Sequence, residues 1–189
     1  MTLFQFKIQL RGVVMPPVWR QFIVPDDISF QTFHELIQVV FGWKNNSAYS
    51  FSQKGIDAGM QIKAFADLNQ NEQFASLLRL NEVFSENQKL FLYTYDFTEK
   101  WEHVIHLEKI IETDSVEFRL LAGKGACPVE ACDGIWGYER VKKFLRNPDS
   151  PEWHEVMFEM FGHLIDEGFN PDEFNSDAVA QKLKSYNPE

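Results

Sequence analysis

The feature that most restricts the fold is the aromatic-rich stretch Leu90–Ile110, LFLYTYDFTEKWEHVIHLEKI. Two runs of aromatic, β-branched and long apolar residues are joined there by the short polar segment Thr98-Glu99-Lys100. Runs of this composition around a short polar joint predict a β-hairpin. The apolar side of this hairpin would form one wall of the protein core, with an early helix resting against it.

The turn lacks the Asn-Gly pair that indicates a two-residue loop, so the loop length, and with it the register of the hairpin, stays open. A three-residue loop places Tyr95 opposite His103 and Asp96 opposite Glu102, where like charges need a cation, a shared proton or solvent. A two-residue or four-residue loop reverses the facing of one strand and separates the carboxylates. In the three-residue register, one side of the hairpin carries Phe91, Tyr93, Tyr95, Phe97, Trp101, His103, Ile105 and Leu107.

Composition indicates a globular protein. The 189 residues are 44% hydrophobic and include 18 Phe and 5 Trp, enough for a substantial core. No apolar run reaches the roughly 20 residues of a membrane span, and the start MTLFQFKIQL alternates like a strand rather than a signal peptide. Two cysteines without a disulfide framework favour a reducing, cytoplasmic location.

The net charge of −10 is unevenly distributed, because residues 1–60 are near +1 and residues 147–189 near −8. An acidic surface repels phosphate backbones, which disfavours direct nucleic-acid binding but leaves room for a local basic patch. We expect an α+β core domain over residues 1–146, with residues 147–189 as an acidic helical extension packed on the same domain.

The other elements follow from hydrophobic periodicity. Alternation predicts strands over Phe4–Gly12 and Val18–Val24, as a hairpin or a parallel pair. Helical spacing predicts a helix capped by Ser29 and ended by Gly42, with His34 beside its apolar stripe. The remaining predictions are a strand at Tyr49–Gln53, an exposed segment at Gln61–Gln73, a helical turn at Leu80–Phe84, a strand at Val116–Leu121, a glycine-bearing loop at Ala122–Trp136, and helices at Tyr138–Leu145, Ser150–Phe161 and Asp177–Tyr186.

Several stretches together resemble one family. They are residues 15–43 (MPPVWRQFIVPDDISFQTFHELIQVVFGW), 93–110 (YTYDFTEKWEHVIHLEKI), 121–145 (LLAGKGACPVEACDGIWGYERVKKFL) and 169–175 (FNPDEFN). This ordered pattern resembles the plasmid pRiA ORF-3-like family of insertion-element passenger proteins, some labelled TnpR. The resemblance implies a compact α/β-roll-like domain with a mostly antiparallel sheet, a packed N-terminal helix and C-terminal helices, and it implies no particular reaction.

The chain departs from the family pattern at two places. Members of the family that this chain resembles tend to read Tyr-Asp-Phe-Gly-Asp-x-Trp-x-His. This sequence has Thr98-Glu99-Lys100 after Phe97, so it lacks the turn glycine and the aspartate that follows it. Members often carry His-Leu-His after the first helix, where this sequence has Ser47-Ala48-Tyr49. These departures weaken the case for a metal or acid–base role of those histidines in this chain.

Four residues are candidates for catalysis. Asp96, Glu102 and His103 would supply the acid–base or metal site of a hydrolase-type enzyme. Cys132 would be a nucleophile if the following helix lowered its thiol pKa and His103 served as base. Recombinase chemistry is disfavoured, because the arginines that would handle phosphate are few and scattered.

The metal and anion motifs are incomplete. Cys127 and Cys132 have Cys-x4-Cys spacing and would need two more zinc ligands, yet His103 and His106 point to opposite faces of a strand. Lys124, between Gly123 and Gly125, could hold a small anion near helix amides, but the phosphate-loop spacing is absent. The sequence predicts no cofactor and no metal.

The leading interpretation is a non-catalytic binding or interaction module. Its predicted contact surface is the groove between the central hairpin and the Gly123–Trp136 loop, with Tyr95, Trp101, Lys124 and Trp136 as binding candidates for a protein or a small ligand. The alternatives are the hydrolase-type enzyme and an accessory nucleic-acid protein of a mobile element. No membrane partner is expected.

Overall fold

A computed structural model describes residues 1–55, 58–67, 71–147 and 169–186. In chain order its strands are β1 (Thr2–Val14), β2 (Pro17–Pro25), β3 (Tyr49–Ser52), β4 (Gln61–Lys63), β5 (Glu72–Phe74), β6 (Leu90–Tyr95), β7 (Trp101–Glu112) and β8 (Arg119–Lys124). The α-helices of the described residues are α1 (Phe30–Phe41), α2 (Gly134–Arg146) and α3 (Ser176–Ser185), and a short 3-10 helix spans Leu80–Glu82.

The strands form one sheet in the order β5-β4-β3-β6-β7-β1-β2-β8. Its neighbours are antiparallel except β4 and β5, which are parallel. The predicted α+β class with a mostly antiparallel sheet is confirmed. The central hairpin, β6 and β7, lies in the middle of this sheet, so the rest of the fold is built around it.

The alternation predicted for the N-terminal strands is present. Phe4, Phe6, Ile8 and Leu10 of β1 are each at most 3% exposed, and they face the core. Phe6 pairs with Phe22 in the antiparallel β1–β2 ladder. The sequence left a hairpin and a parallel pair open, and the structure shows the hairpin.

Helix α1 covers the inner face of the sheet. The Ser29 hydroxyl accepts a hydrogen bond from the Thr32 N–H at 3.0 Å, and Gly42 ends the helix in the left-handed region at φ 92°. The Phe33 side chain of α1 faces the sheet, and its ring centroid lies 4.8 Å from that of Phe6. Both predicted helix ends are confirmed, and the apolar stripe of the helix is the roof of a core dominated by phenylalanine rings.

The facing predicted for the central hairpin is correct, but its register is not. Tyr95 pairs with Trp101 and Tyr93 with His103, so the turn has five residues, 96–100. This pairing is shifted by two residues relative to the predicted one, and a shift of two leaves the same side of each strand facing the core. The residues that face the core, each at most 1% exposed, are Phe91, Tyr93, Tyr95, Trp101, His103, Ile105 and Leu107.

The longer turn is organised by Asp96. This residue adopts φ 56°, and its Oδ1 accepts hydrogen bonds from the Thr98 and Glu99 N–H groups at 2.9 and 3.1 Å. Aspartate tolerates the left-handed region because its short side chain can bond the neighbouring backbone. Phe97 is consequently part of the turn instead of the core face, and Asp96 does not lie opposite Glu102.

The segment Gln61–Gln73, predicted to be exposed, contains β4 and the start of β5. Gln61 is only 5% exposed. Its side-chain NH2 donates to the backbone oxygens of Gly55 and Ala58, and its Oε1 accepts a 2.6 Å bond from the Ser50 hydroxyl. The Gln61 side chain can be buried because neighbouring segments supply hydrogen-bond partners for its amide group. Local composition does not reveal these partners.

The elements after the hairpin are displaced relative to the prediction. Strand β8 begins at Arg119 and continues to Lys124, later than the predicted Val116–Leu121. Helix α2 begins at Gly134, earlier than the predicted Tyr138. Six of the fifteen residues of the predicted glycine-bearing loop therefore belong to regular elements, three to β8 and three to α2.

The C-terminal segment is attached to the sheet edge. The Phe174 ring lies 3.9 Å from the Arg20 guanidinium, and a Cβ at Gly123 would come within 2.3 Å of that ring. Arg20 is 1% exposed and its Nε donates to the Val40 oxygen at the end of α1. Burial lowers the pKa of Arg20 to about 10, so the guanidinium stays charged at neutral pH.

Helix α3 confirms the predicted last helix, with Asn175 as its N-cap. The helix predicted over Ser150–Phe161 lies outside the described residues, and the division of the chain at residue 146 stays a prediction. None of the helices within the described ranges combines the length and the apolar character that crossing a membrane requires.

Candidate functional site

The carboxylates proposed for acid–base chemistry do not meet. Asp96 Oδ2 accepts a 2.9 Å bond from the Ser47 hydroxyl in addition to its role in the turn. Glu102 pairs with Arg11 at 2.7 Å on the other side of the sheet. His103 follows Glu102 on the same strand, so their side chains point to opposite faces. The structure therefore does not form the predicted site of Asp96, Glu102 and His103.

The predicted nucleophile and base are both in the core. Cys132 is fully buried, and burial raises the pKa of its thiol to about 12, so the thiol stays protonated. His103 is also fully buried, and burial lowers its pKa to about 3. Its Nδ1 lies 3.4 Å from the backbone carbonyl oxygen of Tyr93. Neither residue has the solvent access that a nucleophile or a general base needs.

No metal ligand set forms within the described residues. There, no group of three or more His, Cys, Asp or Glu side chains could hold a metal ion. Cys127 and Cys132 are both free thiols.

The four binding candidates divide into two pairs. Tyr95 and Trp101 have 0% exposure and would contact a partner only if the core opened. Trp136 is 83% exposed in the first turn of α2, and Lys124 is exposed at the end of β8. Lys124 and Trp136 thus remain available for contact, whereas Tyr95 and Trp101 lie on the side of the hairpin that was predicted to face the core.

The predicted groove between the hairpin and the Gly123–Trp136 loop is filled by two glutamates of the chain. The Glu99 carboxylate accepts hydrogen bonds from the N–H groups of Asp133 and Gly134 at 3.1 and 2.9 Å. Glu130 Oε1 accepts a 2.8 Å bond from the Tyr95 hydroxyl. The backbone amides at the start of α2, which Lys124 was expected to assist in holding an anion, bind the protein's own carboxylate.

Sequence reasoning missed a polar network, in which the buried residues His34, Gln38 and Tyr93 are joined by the exposed Asn45. The His34 Nε2–H donates to Asn45 Oδ1 at 2.7 Å, because that oxygen can only accept. His34 Nδ1 then accepts from the Tyr93 hydroxyl at 2.8 Å, and this hydroxyl accepts from Gln38 Nε2 at 2.8 Å. Burial lowers the pKa of His34 to about 4. The imidazole is neutral at physiological pH and each of its nitrogens has a partner.

A second buried group, the tryptophan cluster, consists of Trp43, Tyr95, Trp101 and His103. The Trp43 ring centroid lies 5.2 Å from that of Trp101 and 5.5 Å from that of Tyr95. The indole N–H groups of Trp43 and Trp101 and the Nε2 of His103 have no hydrogen-bond partner among the described residues. Ring packing, rather than hydrogen bonding, holds this cluster together.

An open cavity lies beside the hairpin turn. This turn cleft has a volume of about 470 Å³ and is lined by Asn45, Asn46, Ser47, Ala48, Tyr49, Lys63, Ala64, Phe65 and Phe97. Phe65 is 91% exposed, while Tyr49 is 7% exposed and stacks on His34 with centroids 3.6 Å apart. The Tyr49 hydroxyl is buried and has no partner within the described part of the chain. From the sequence, Phe97 was expected to be a core residue and Ser47-Ala48-Tyr49 was noted as a departure from the family pattern, but no cavity joining them was predicted.

The model of the plasmid pRiA4b ORF-3-like protein family matches residues 2–178. The chain belongs to this family. A curated relative, "Uncharacterized protein y4hQ" of Sinorhizobium fredii, is 33% identical over 150 residues, which cover 79% of this chain and 76% of the relative. The crystal structure of MM3350, a protein of unknown function from Methanosarcina mazei Go1, superposes with a TM-score of 0.79 at 28% identity, covering 93% of this chain and 96% of that one.

Both departures of this ORF-3-like chain from the family pattern lie at the turn cleft. Ser47-Ala48-Tyr49, in place of His-Leu-His, lines the cleft, and Phe97 is followed by Thr98-Glu99-Lys100 in the turn beside it. The chain does without the turn glycine because Asp96 and Lys100 both adopt positive φ, at 56° and 55°.

Proposed function

We propose that this protein is a binding module whose turn cleft holds a small, flat, uncharged aromatic molecule. The observation that carries the proposal is the combination of the buried Tyr49 hydroxyl, which lacks a partner among the described residues, with the ring-bearing residues Phe65 and Phe97 on the same cavity. Ligand sites have volumes of about 300–1,000 Å³ and combine aromatic walls with a few polar groups. The turn cleft meets both criteria.

The charge of the lining favours an uncharged ligand. Among the described residues, Lys63 is the one charged residue that lines the turn cleft. Its ammonium already forms an ion pair with the Glu72 carboxylate, and this hydrogen bond lowers the pKa of Glu72. An anionic ligand would have to compete with that carboxylate, whereas a neutral ring can lie between the aromatic walls and hydrogen bond to Tyr49.

The distribution of titratable groups supports binding over hydrolysis. Glu102 lies on the outer sheet face, His103 lies in the core, and Asp96 is engaged by the turn and by Ser47. General acid–base catalysis needs such groups within hydrogen-bond reach of one substrate. Asp96, Glu102 and His103 do not satisfy that requirement together.

The proposal is tested with 5-fluoroindole as the probe, observed by 19F NMR during titration with the protein. We expect saturable binding, because the indole ring can pack between the phenylalanines while its N–H reaches the Tyr49 hydroxyl. Phe65→Ser should weaken binding by roughly tenfold, because it removes one aromatic wall. Phe65 is almost fully exposed, so its replacement should leave the unfolding midpoint in urea unchanged.

The matched control is Leu77→Ser, which replaces another exposed apolar residue, 75% exposed, that does not line the cleft. Its affinity for 5-fluoroindole should equal that of the wild type. Absence of saturable binding by the wild-type protein, or an equal loss in both variants, would refute the turn cleft as the ligand site.

A further inference from the structure

A second cavity, the helix-end pocket, lies where the C-terminal half of α1 faces the end of α3. It has a volume of about 400 Å³ and is lined by Glu35, Gln38, Val39, Gly42, Trp43, Asn45, Lys182 and Tyr186. Among the described residues, its lining shares only Asn45 with that of the turn cleft. The two cavities are therefore separate candidate sites, and a ligand could occupy either one without the other.

The helix-end pocket contains two opposite charges that do not pair with each other. Glu35 comes from α1 and Lys182 from α3, and no ion pair joins them in the described structure. Glu35 Oε2 instead accepts a 2.5 Å hydrogen bond from the Tyr186 hydroxyl, and Oε1 has a 3.4 Å contact with the Gln31 amide. A carboxylate has about four acceptor sites, so Glu35 can still receive a cationic donor.

The other polar groups of this pocket are mainly donors. The Trp43 side chain is 7% exposed, and its indole N–H lacks a partner among the described residues. Asn45 uses its side-chain oxygen to accept from His34, and no hydrogen bond between described residues uses its NH2 group. Together with the Lys182 ammonium, these N–H groups are suited to an anionic oxygen ligand.

One wall of the helix-end pocket is small and apolar. Val39 lines it, and at Gly42 a Cβ would meet no atom within 4 Å. An uncharged hydrocarbon group could therefore occupy this side while charged groups of the same ligand reach Glu35 and Lys182. The ligand that this arrangement requires has one ammonium, one carboxylate and a short aliphatic side chain.

We propose that the helix-end pocket binds a free aliphatic amino acid as its zwitterion. The ligand ammonium donates to Glu35, and its carboxylate accepts from Lys182 and from the N–H groups of Trp43 or Asn45. Its side chain packs on Val39. Because the site joins α1 to α3, occupancy also connects the C-terminal helix to the core helix of the domain.

The proposal is tested by isothermal titration calorimetry of the full chain with L-leucine, leucinamide and N-acetyl-L-leucine. Leucinamide lacks the carboxylate, and N-acetyl-L-leucine lacks the ammonium. We expect one saturable site for L-leucine. Both analogues should bind roughly tenfold more weakly than L-leucine, or weaker still, since each loses a charge-assisted hydrogen bond. No saturable binding of L-leucine, or equal binding of either analogue, would overturn the zwitterion assignment.

Two variants locate the site. Lys182→Met should weaken L-leucine binding by roughly tenfold, whereas Lys184→Met, two residues along the same helix and outside the pocket lining, should not. Glu35→Gln should weaken binding similarly while its side-chain oxygen still accepts from Tyr186, so the α1–α3 contact persists. If Lys184→Met costs as much affinity as Lys182→Met, the binding site lies elsewhere and the proposal is wrong.

Discussion

The polar network and the tryptophan cluster each contain one buried histidine, but the two histidines differ in their hydrogen bonding. In the polar network both nitrogens of His34 have partners at 2.7 and 2.8 Å. In the tryptophan cluster His103 has one 3.4 Å contact at Nδ1 and none at Nε2 within the described residues. His34 therefore specifies the geometry of its surroundings through hydrogen bonds, whereas His103 acts mainly as a flat ring that packs against Phe41 and Tyr93.

This difference predicts unequal costs of substitution. A buried donor or acceptor that loses its partner destabilises a protein by about 1–3 kcal/mol, whereas a residue held only by packing can be replaced by one of similar size at lower cost. The variants below separate these two situations.

The largest effect is expected for Tyr93→Phe, which removes the hydroxyl that joins His34 to Gln38. Both of these residues are buried, so Gln38 Nε2 loses its acceptor and His34 Nδ1 loses its donor. We expect the free energy of unfolding in urea at pH 7 to fall by about 2–4 kcal/mol. A loss below about 1 kcal/mol would show that the network contributes no more than ring packing does.

The second prediction concerns pH. The folded-state pKa values of His34 and His103, about 4 and about 3, lie below the unfolded value of about 6.5. Below pH 6.5 the unfolded chain binds protons that the folded chain does not, so stability is present above this pH and is lost as the pH falls towards 4. Each histidine should contribute a slope of up to about 1.4 kcal/mol per pH unit.

Urea unfolding at pH 7, 6 and 5 measures this slope, and replacement of either histidine by leucine should reduce it by one histidine's share. Carboxylates titrate in the same way in all variants, so the difference from the wild type isolates the imidazole. An unchanged slope in both variants would mean that neither histidine is protected from protonation in the folded state.

The smallest effect is expected for His103→Leu at pH 7. Leucine has a similar volume, and the substitution removes one long contact together with a nitrogen that has no partner in the described structure. We expect a change in unfolding free energy below about 1 kcal/mol. His34→Leu serves as the matched comparison and should cost more, because it leaves the Tyr93 hydroxyl without its acceptor. Equal costs for the two variants would remove the distinction between the two regions.

Local patterns were sufficient where a segment's own residues decide its structure. The β1 alternation predicted a half-buried strand, Ser29 and Gly42 marked the ends of α1, and both assignments are present in the structure. The inward facing of the central hairpin was also predictable, because a shift of two residues in the pairing preserves side-chain parity. These features depend on period and on capping, which are readable along the chain.

The candidate site was less predictable because its partners are remote in sequence. The start of α2 was predicted too late because its capping carboxylate, Glu99, comes from the hairpin turn. The same contact fills the groove that was expected to bind a partner. The turn cleft joins segments around Tyr49, Lys63 and Phe97, and no local pattern indicated that they would meet.

The sequence alone determined the α+β class, the family, the helix α1 and the side of the hairpin that is buried, since each depends on residue order along one segment. Only the tertiary structure decided which polar groups are satisfied, which aromatic rings are covered and where open cavities remain. Hydrogen bonds such as Glu99 to Gly134 and His34 to Tyr93 join groups that are distant along the chain. Their partners are chosen by packing, and packing is fixed only when all the elements are assembled.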